Sequence, residues 1–266
     1  MTQMVEMQDK KKADYIPEHA KEIVPSQKRV RVYFGGRFIA DSKNVLLVRQ
    51  QGVPPEYYFS QQDVRMEYLH GNDRKREIEG LGEAAYFAVT VDDQTANNAA
   101  WRIRHTAPEA AQIEGYISFK WKMMDAWFEE DEEVYVHPRD PYTRLDVIRS
   151  SRHVRIVVNG ETVAESERPV LLFETGLPVR YYIPKVDVRM DLLESTKTHT
   201  ECPYKGVASY YSVRVGDQVA EDIAWYYPFP HAEVGKIQNL IAFYDEKVDA
   251  VYVDGEKQAR PKTHWS

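Results

Sequence analysis

A chain of 266 residues with a formal charge of −7 and a pI of about 5.7 is long enough for one large domain or two of ordinary size. Its acidity argues against nucleic acid as the main partner, because phosphate binding needs a basic face. Composition is 43% hydrophobic and 29% charged, with no run near 18 apolar residues and no apolar leader after Met1, which excludes a transmembrane helix and a secretory signal and places the expected protein in the cytoplasm, away from membranes.

Residues 1–28 are polar, lack periodicity and contain Lys10-Lys11-Lys12. They read as a mobile arm or a strap. A β pattern follows, with Gly35-Gly36 at a turn and strands expected over 84–91 and 113–119. The stretch 133–152 has two prolines, no glycine and charges of alternating sign at Arg139, Asp140, Arg144, Asp146 and Arg152, so it reads as an ordered link. Beyond it, Val154–Val158 alternates apolar and polar residues up to Asn159-Gly160, the pair that supplies both positive φ values of a type I′ hairpin. Further strands are expected over 207–215, 238–244 and 248–253. Few stretches hold a helical period, so short helices or turns at most are expected.

The chain repeats itself at a displacement of 124 residues. Val30–Gly36 lies over Val154–Gly160, Tyr57–Met66 over Tyr181–Met190, Ala100-Trp101 over Ala224-Trp225, and Ile117–Phe119 over Ile241–Phe243, without a gap. A period this long is no solenoid. It predicts an all-β protein built from two copies of one domain, 29–132 and 153–260, related by a pseudo-twofold, as a monomeric pseudo-dimer or a homodimer.

One copy then serves as the control for the other. Trp101 and Trp225, and Asp63-Val-Arg65 and Asp187-Val-Arg189, occur in both and read first as a core tryptophan and an ion pair at a strand end. Ser195–Gly206 differs sharply from Gly71–Gly82: His199, Cys202, Tyr204 and Lys205 face residues of other chemistry, and Trp225-Tyr226-Tyr227 faces Trp101-Arg102-Ile103. A lysine among aromatics can act as base or amine nucleophile, a histidine can shuttle protons, a thiolate can attack and a phenol can donate to an oxyanion. The structural alternatives are a small buried cysteine, a solvated turn lysine and a surface histidine. His199 and Cys202 are too few for a metal site, and no metal is expected. No nucleophile elbow, Walker loop or Rossmann fingerprint is present, so no cofactor is expected either. The single cysteine excludes an internal disulfide and a cysteine-rich zinc site.

Thr200–Gly206, Ala224–Pro228, Ile241–Tyr244, His137–Tyr142 and Phe173–Pro178 together resemble the tandem form of the DUF427 family, over about 30–260. The resemblance implies a compact β-rich domain similar to the β-tent folds, some of which hold a flat heterocycle in an aromatic cage. The family is sometimes labelled nucleotidyltransferase-like, but that chemistry shows a Gly-Ser pair before an Asp-x-Asp metal site, and Gly-Ser is absent here. Copy one departs from the pattern at Ile78–Gly82.

These readings predict a cofactor-independent small-molecule enzyme (hydrolase, lyase, isomerase or cyclase) with its site in copy two. Lys205, His199, Tyr204 and Cys202 are the catalytic candidates. Trp225, Tyr226, Tyr182, Asp187, Arg189, His137 and Arg139 are the substrate-binding candidates, with the 137–146 link closing the site. The alternative is a binding module whose aromatic cage holds a flat metabolite without converting it.

Overall fold

The computed structural model describes residues 21–50, 53–263 and 266. The chain divides into two compact units, one ending at Asp140 and the other beginning at Pro141. Each is built of antiparallel strands, with short stretches of 3-10 helix as its only helical elements among the described residues. No helix among them is long and apolar enough to cross a membrane.

The first unit contains β1 (Lys21–Pro25), β2 (Val30–Phe34), β3 (Arg37–Ser42), β4 (Leu46–Gln50), β5 (Val53–Tyr58), β6 (Leu69–Ile78), β7 (Gly82–Val91), β8 (Gln94–Arg104), β9 (Ile117–Phe119), β10 (Ala126–Glu129) and β11 (Glu132–Glu133). They form three sheets, β1-β4-β5, β11-β10-β2-β3 and β6-β7-β8-β9. The second unit repeats this with β12 (Leu145–Arg149), β13 (Val154–Val158), β14 (Glu161–Ser166), β15 (Val170–Glu174), β16 (Arg180–Tyr182), β17 (Leu193–Cys202), β18 (Gly206–Val215), β19 (Gln218–Tyr226), β20 (Ala242–Phe243), β21 (Ala250–Val253) and β22 (Glu256–Lys257). Its sheets are β12-β15-β16, β14-β13-β21-β22 and β17-β18-β19-β20.

In each unit the long sheet is central, because alternate residues of its strands feed two separate cores. In the second unit, Val213, Ala224 and Phe243 join Val154, Ile156 and Val253 on one face. Ala208, Tyr210, Trp225 and Ala242 join Val147, Leu172 and Tyr182 on the other. The first unit splits the same way, with Phe87, Ala100 and Phe119 on one side and Ala84, Tyr86, Trp101 and Tyr58 on the other. Trp101 and Trp225 are both core residues, 5% and 7% exposed. The outer strand β6 is exposed from His70 to Glu77, and its run of charges keeps a free edge from pairing with other chains.

Two hairpins confirm the turn chemistry. Gly35 and Gly36 have φ of +58° and +79°, Asn159 and Gly160 +51° and +78°. Elsewhere the sequence misleads. The expected arm over 1–28 ends early: β1 pairs along its whole length with β4, Ile23 opposite Val48, because Ile23 and Val24 have apolar partners to cover. Residues 1–20 lie outside the described region. The repeat thus begins at 21, and β12 is its counterpart in the second unit. The link shares this fate, since β11 and β12 take its two ends. Of its charges, Asp140 pairs with Arg49 at 2.9 Å and Arg144 with Asp146 at 3.0 Å.

The strands expected over 113–119 and 238–244 are present but shorter, and each follows a stretch of 3-10 helix. A 3-10 turn at Pro108–Ile113 buries Ala110 and Ile113, and one at Ala232–Ile237 buries Val234 and Ile237. Residues three apart share a face in such a turn, so the apolar content is used without a strand. Gly115 and Asn239, at positive φ, then end the extended pairing and leave only short strands β9 and β20.

Candidate functional site

The turn between β17 and β18 carries Lys205. Its backbone is pinned on both sides: the Lys205 amide donates to the Cys202 carbonyl at 3.2 Å, and the Lys205 carbonyl accepts from the His231 amide at 3.2 Å. Gly206 follows at φ +97°, where a Cβ would meet the Phe229 carbonyl oxygen at 3.2 Å. The turn therefore needs glycine for its conformation and for the close approach. This places the Lys205 ammonium at 2.5 Å from Glu174 Oε2, at the end of β15. Both side chains are largely buried, 11% and 8% exposed.

Two phenols, Tyr182 and Tyr227, lie near enough to Glu174 to feel its charge. The Trp225 indole N–H donates to the Tyr182 hydroxyl at 3.3 Å, with the rings edge to face at 6.4 Å. Burial pushes the Tyr182 phenol well above the usual range, and nearby Glu174 and Cys202 add to the effect. Tyr227 is raised likewise, by burial first and then by Tyr182 and Cys202. Both hydroxyls therefore stay protonated at neutral pH and act as donors. Tyr210 exchanges a hydrogen bond with Thr200 Oγ1 at 2.8 Å and another with the Tyr244 hydroxyl at 3.2 Å. The Tyr244 ring packs on Trp225 with centroids 4.6 Å apart. The whole forms a buried ion pair beside an aromatic and phenolic wall.

The candidates predicted from sequence divide into three groups. Lys205, Cys202, Tyr182 and Trp225 come together here, and Tyr204 sits half-buried in the same turn. Lys205 is not the solvated turn residue of the structural alternative. Four others lie elsewhere in the second unit. His199 is exposed on β17, with Ser209 Oγ at 3.3 Å from its Nδ1. Tyr226 follows Trp225 in the same strand and so faces the opposite side, where it stacks on Tyr211 at 5.1 Å. Asp187 is occupied by Arg168 at 2.8 Å and by the Ser166 hydroxyl at 2.8 Å, which holds its carboxyl below the usual range. Arg189 pairs with Asp191 at 2.7 Å and Glu161 at 3.4 Å. The expected pair between Asp187 and Arg189 is thus replaced by pairs to other residues. The last two, His137 and Arg139, belong to the first unit, where His137 lines a cavity.

Sequence reasoning missed Glu174, Tyr227, Tyr210 and Tyr244. The internal comparison could have found three of them. At the displacement of 124, Tyr227 stands over Ile103, Glu174 over Gln50, Lys205 over Leu81 and Tyr244 over Lys120. Leu81 is fully buried, and Gln50 donates from its amide to the Glu79 carbonyl at 3.0 Å. The fold is therefore complete in the first unit without a charge at either place.

A second charged cluster lies on the same core. Arg180 holds Glu246 in a two-pronged pair at 2.8 and 2.5 Å, lies over the Trp225 ring at 5.7 Å and stands 3.8 Å from Asp245. Thr263 Oγ1 donates to Glu246 at 2.7 Å. Burial raises the Asp245 carboxyl to about 7; Arg180 pulls it back and Glu246 pushes it further up. Asp245 borders a cavity of about 350 Å³ shared with Tyr181, Lys257 and Arg260. No group of three or more His, Cys, Asp and Glu among the described residues is arranged to hold a metal ion.

Comparison with protein families returns one model, described as a domain of unknown function (DUF427), which matches residues 22–130 and again 146–254. The two matches coincide with the two structural repeats and take in most of β1 and most of β12. A search of curated proteins finds no match.

Proposed function

The chain belongs to the DUF427 family in both of its units, and on that premise we propose that the second unit is a cofactor-independent enzyme acting on a small molecule by acid–base chemistry. One observation carries this reading: the Lys205–Glu174 pair is buried, and its counterpart in the first unit is uncharged. Taking two charges out of water is costly, and their attraction rarely repays it in stability. A pair that the fold does without is therefore best explained by chemistry.

In this proposal Glu174 accepts a proton from the substrate. Lys205 stabilises the negative charge that develops and returns a proton to the product. Tyr182 and Tyr227, held neutral, donate hydrogen bonds to the developing oxyanion. Trp225 and Tyr244 hold the flat part of the substrate, while Cys202 and Tyr204 border the reacting groups. Hydrolysis, elimination, isomerisation and cyclisation all draw on such a set. A second reading, stoichiometric binding without turnover, has its own support, since Lys205 and Glu174 already satisfy one another.

The test is incubation of catalytic amounts of the full chain with a metabolite extract, followed by mass spectrometry. Loss of one metabolite far beyond the molar amount of protein supports the enzyme. Retention of one metabolite near one equivalent, with no product, overturns it in favour of the binding module.

A further inference from the structure

The larger of the two cavities described above lies in the first unit, the copy that the sequence comparison reads as having lost its site. It measures about 610 Å³, within the range of small-molecule sites. Its walls include Trp101, Tyr86 and Trp121. Trp121 is fixed by stacking flat on Trp127, with centroids 4.2 Å apart and planes within 5°.

The charges at this cavity are unbalanced. Arg76, Lys120 and Lys122 line it against one carboxylate, Glu56. None of the three cations makes an ion pair among the described residues. The Lys120 ammonium lies 5.5 Å from the Tyr86 ring centroid, and the Arg74 guanidinium lies 5.0 Å from the same centroid. Burial and the charge of Arg74 both disfavour the Lys120 ammonium. Like charges are thus held together around an aromatic wall, in a protein whose net charge is −7.

The second unit shows how the same fold neutralises this place. Glu56 stands over Arg180 and Lys122 over Glu246, with both signs reversed. There the two residues clasp each other, and Tyr244 replaces Lys120 and covers Trp225. In the first unit the corresponding pair is not made. Glu56 instead accepts from the Tyr58 hydroxyl at 3.3 Å, which in turn accepts from the Trp101 indole N–H at 3.2 Å.

We propose that the cavity of the first unit binds a planar aromatic anion, its ring against Trp101, Tyr86 and Trp121 and its carboxylate or phosphate on Lys120, Arg76 and Lys122. The ring gains from apolar burial and from stacking. The anion supplies the counter-charge that the protein omits. The site stands independently of the chemistry proposed for the second unit.

Calorimetric titration of the full chain with three probes of one ring system tests this: naphthalene-2-carboxylate, 2-naphthylmethylamine and 2-naphthalenemethanol. The carboxylate is expected to bind at least about tenfold tighter than the amine. In a Lys120→Met/Arg76→Met variant of unchanged thermal stability that preference falls to near parity, while Trp121→Ala weakens all three probes. Equal affinity for acid and amine in the wild type overturns the anion assignment and leaves a neutral aromatic site. A preference that survives the double substitution overturns the placement in this cavity. Binding of none of the three overturns the site itself.

Discussion

Replacing Lys205 alone and replacing the Lys205–Glu174 pair together should have opposite consequences. With Lys205→Leu, Glu174 keeps a side chain only 8% exposed and loses the ammonium at 2.5 Å. Removing one partner of a buried pair costs about 3–5 kcal/mol, because the remaining charge is uncompensated. With Glu174→Gln added, the second unit carries the two residues that the first unit uses, Gln50 and Leu81. Both then suit their surroundings, and the double variant should lie within about 1 kcal/mol of the wild type, or above it. Two units need not unfold as one, so the local measurement is hydrogen exchange in β18, read against β7 in the same molecule as the reference. The single variant should lose protection in β18 by a factor of about 100 or more, as 3 kcal/mol implies, and the double variant should regain it. If the double variant is as unprotected as the single one, the pair is structural and the argument for chemistry at this place fails.

Asp245 should make stability depend on pH. Its carboxyl ionises near 7 in the folded chain and near 3.8 in the unfolded one. The unfolded chain therefore releases this proton first, so the contribution is fully present below pH 3.8 and is lost as pH rises to about 7. That interval corresponds to about 4 kcal/mol at 1.36 per pH unit, and Asp245→Asn should recover about half of it at pH 8, since Arg180 gives up a charge at 3.8 Å. A variant no more stable than the wild type at pH 8, by chemical denaturation, would refute this. Trp225→Phe should cost about 1–2 kcal/mol, because the Tyr182 hydroxyl loses its donor in a dry core; an unchanged denaturation midpoint would count against the bond. Gly82→Ala should cost more than Gly36→Ala. Both sit at positive φ, but a Cβ at Gly82 would meet the His105 carbonyl oxygen at 2.7 Å, whereas at Gly36 it meets nothing within 4 Å. Equal midpoints for the two variants would contradict the packing argument.

Much of the fold was legible in the sequence because the chain states it twice. The hairpins at Gly35-Gly36 and Asn159-Gly160 follow from residue types that accept positive φ, and the register of the two copies follows from matches that need no gap. The elements that failed are those whose local pattern is ambiguous. Lys21–Pro25 is a strand because the edge of β4 is there to pair with it, and no local period announces that. Around Ile113 and Ile237 an apolar residue every third position serves a 3-10 turn as well as a strand.

The site was half legible. Lys205, Cys202, Tyr182 and Trp225 converge, but Lys205 lies far in sequence from Glu174, whose role depends on the turn that carries Lys205 reaching β15. Tyr226 was misread because adjacent strand residues point to opposite faces, so it cannot share a wall with Trp225. Asp187 and Arg189 were read as a pair from their spacing, yet each finds a partner on another segment. The largest surprise is at the first unit's cavity. Comparing copies for lost polar groups hides the opposite case, in which Lys120 and Lys122 replace Tyr244 and Glu246 and thereby leave charge without an ion pair among the described residues.

The most direct test of the central claim is turnover by the Lys205→Leu/Glu174→Gln protein in the metabolite assay, with β18 protection measured on the same preparation. The expected result is a folded second unit that no longer depletes the metabolite consumed by the wild type. Undiminished turnover in the folded double variant would contradict it.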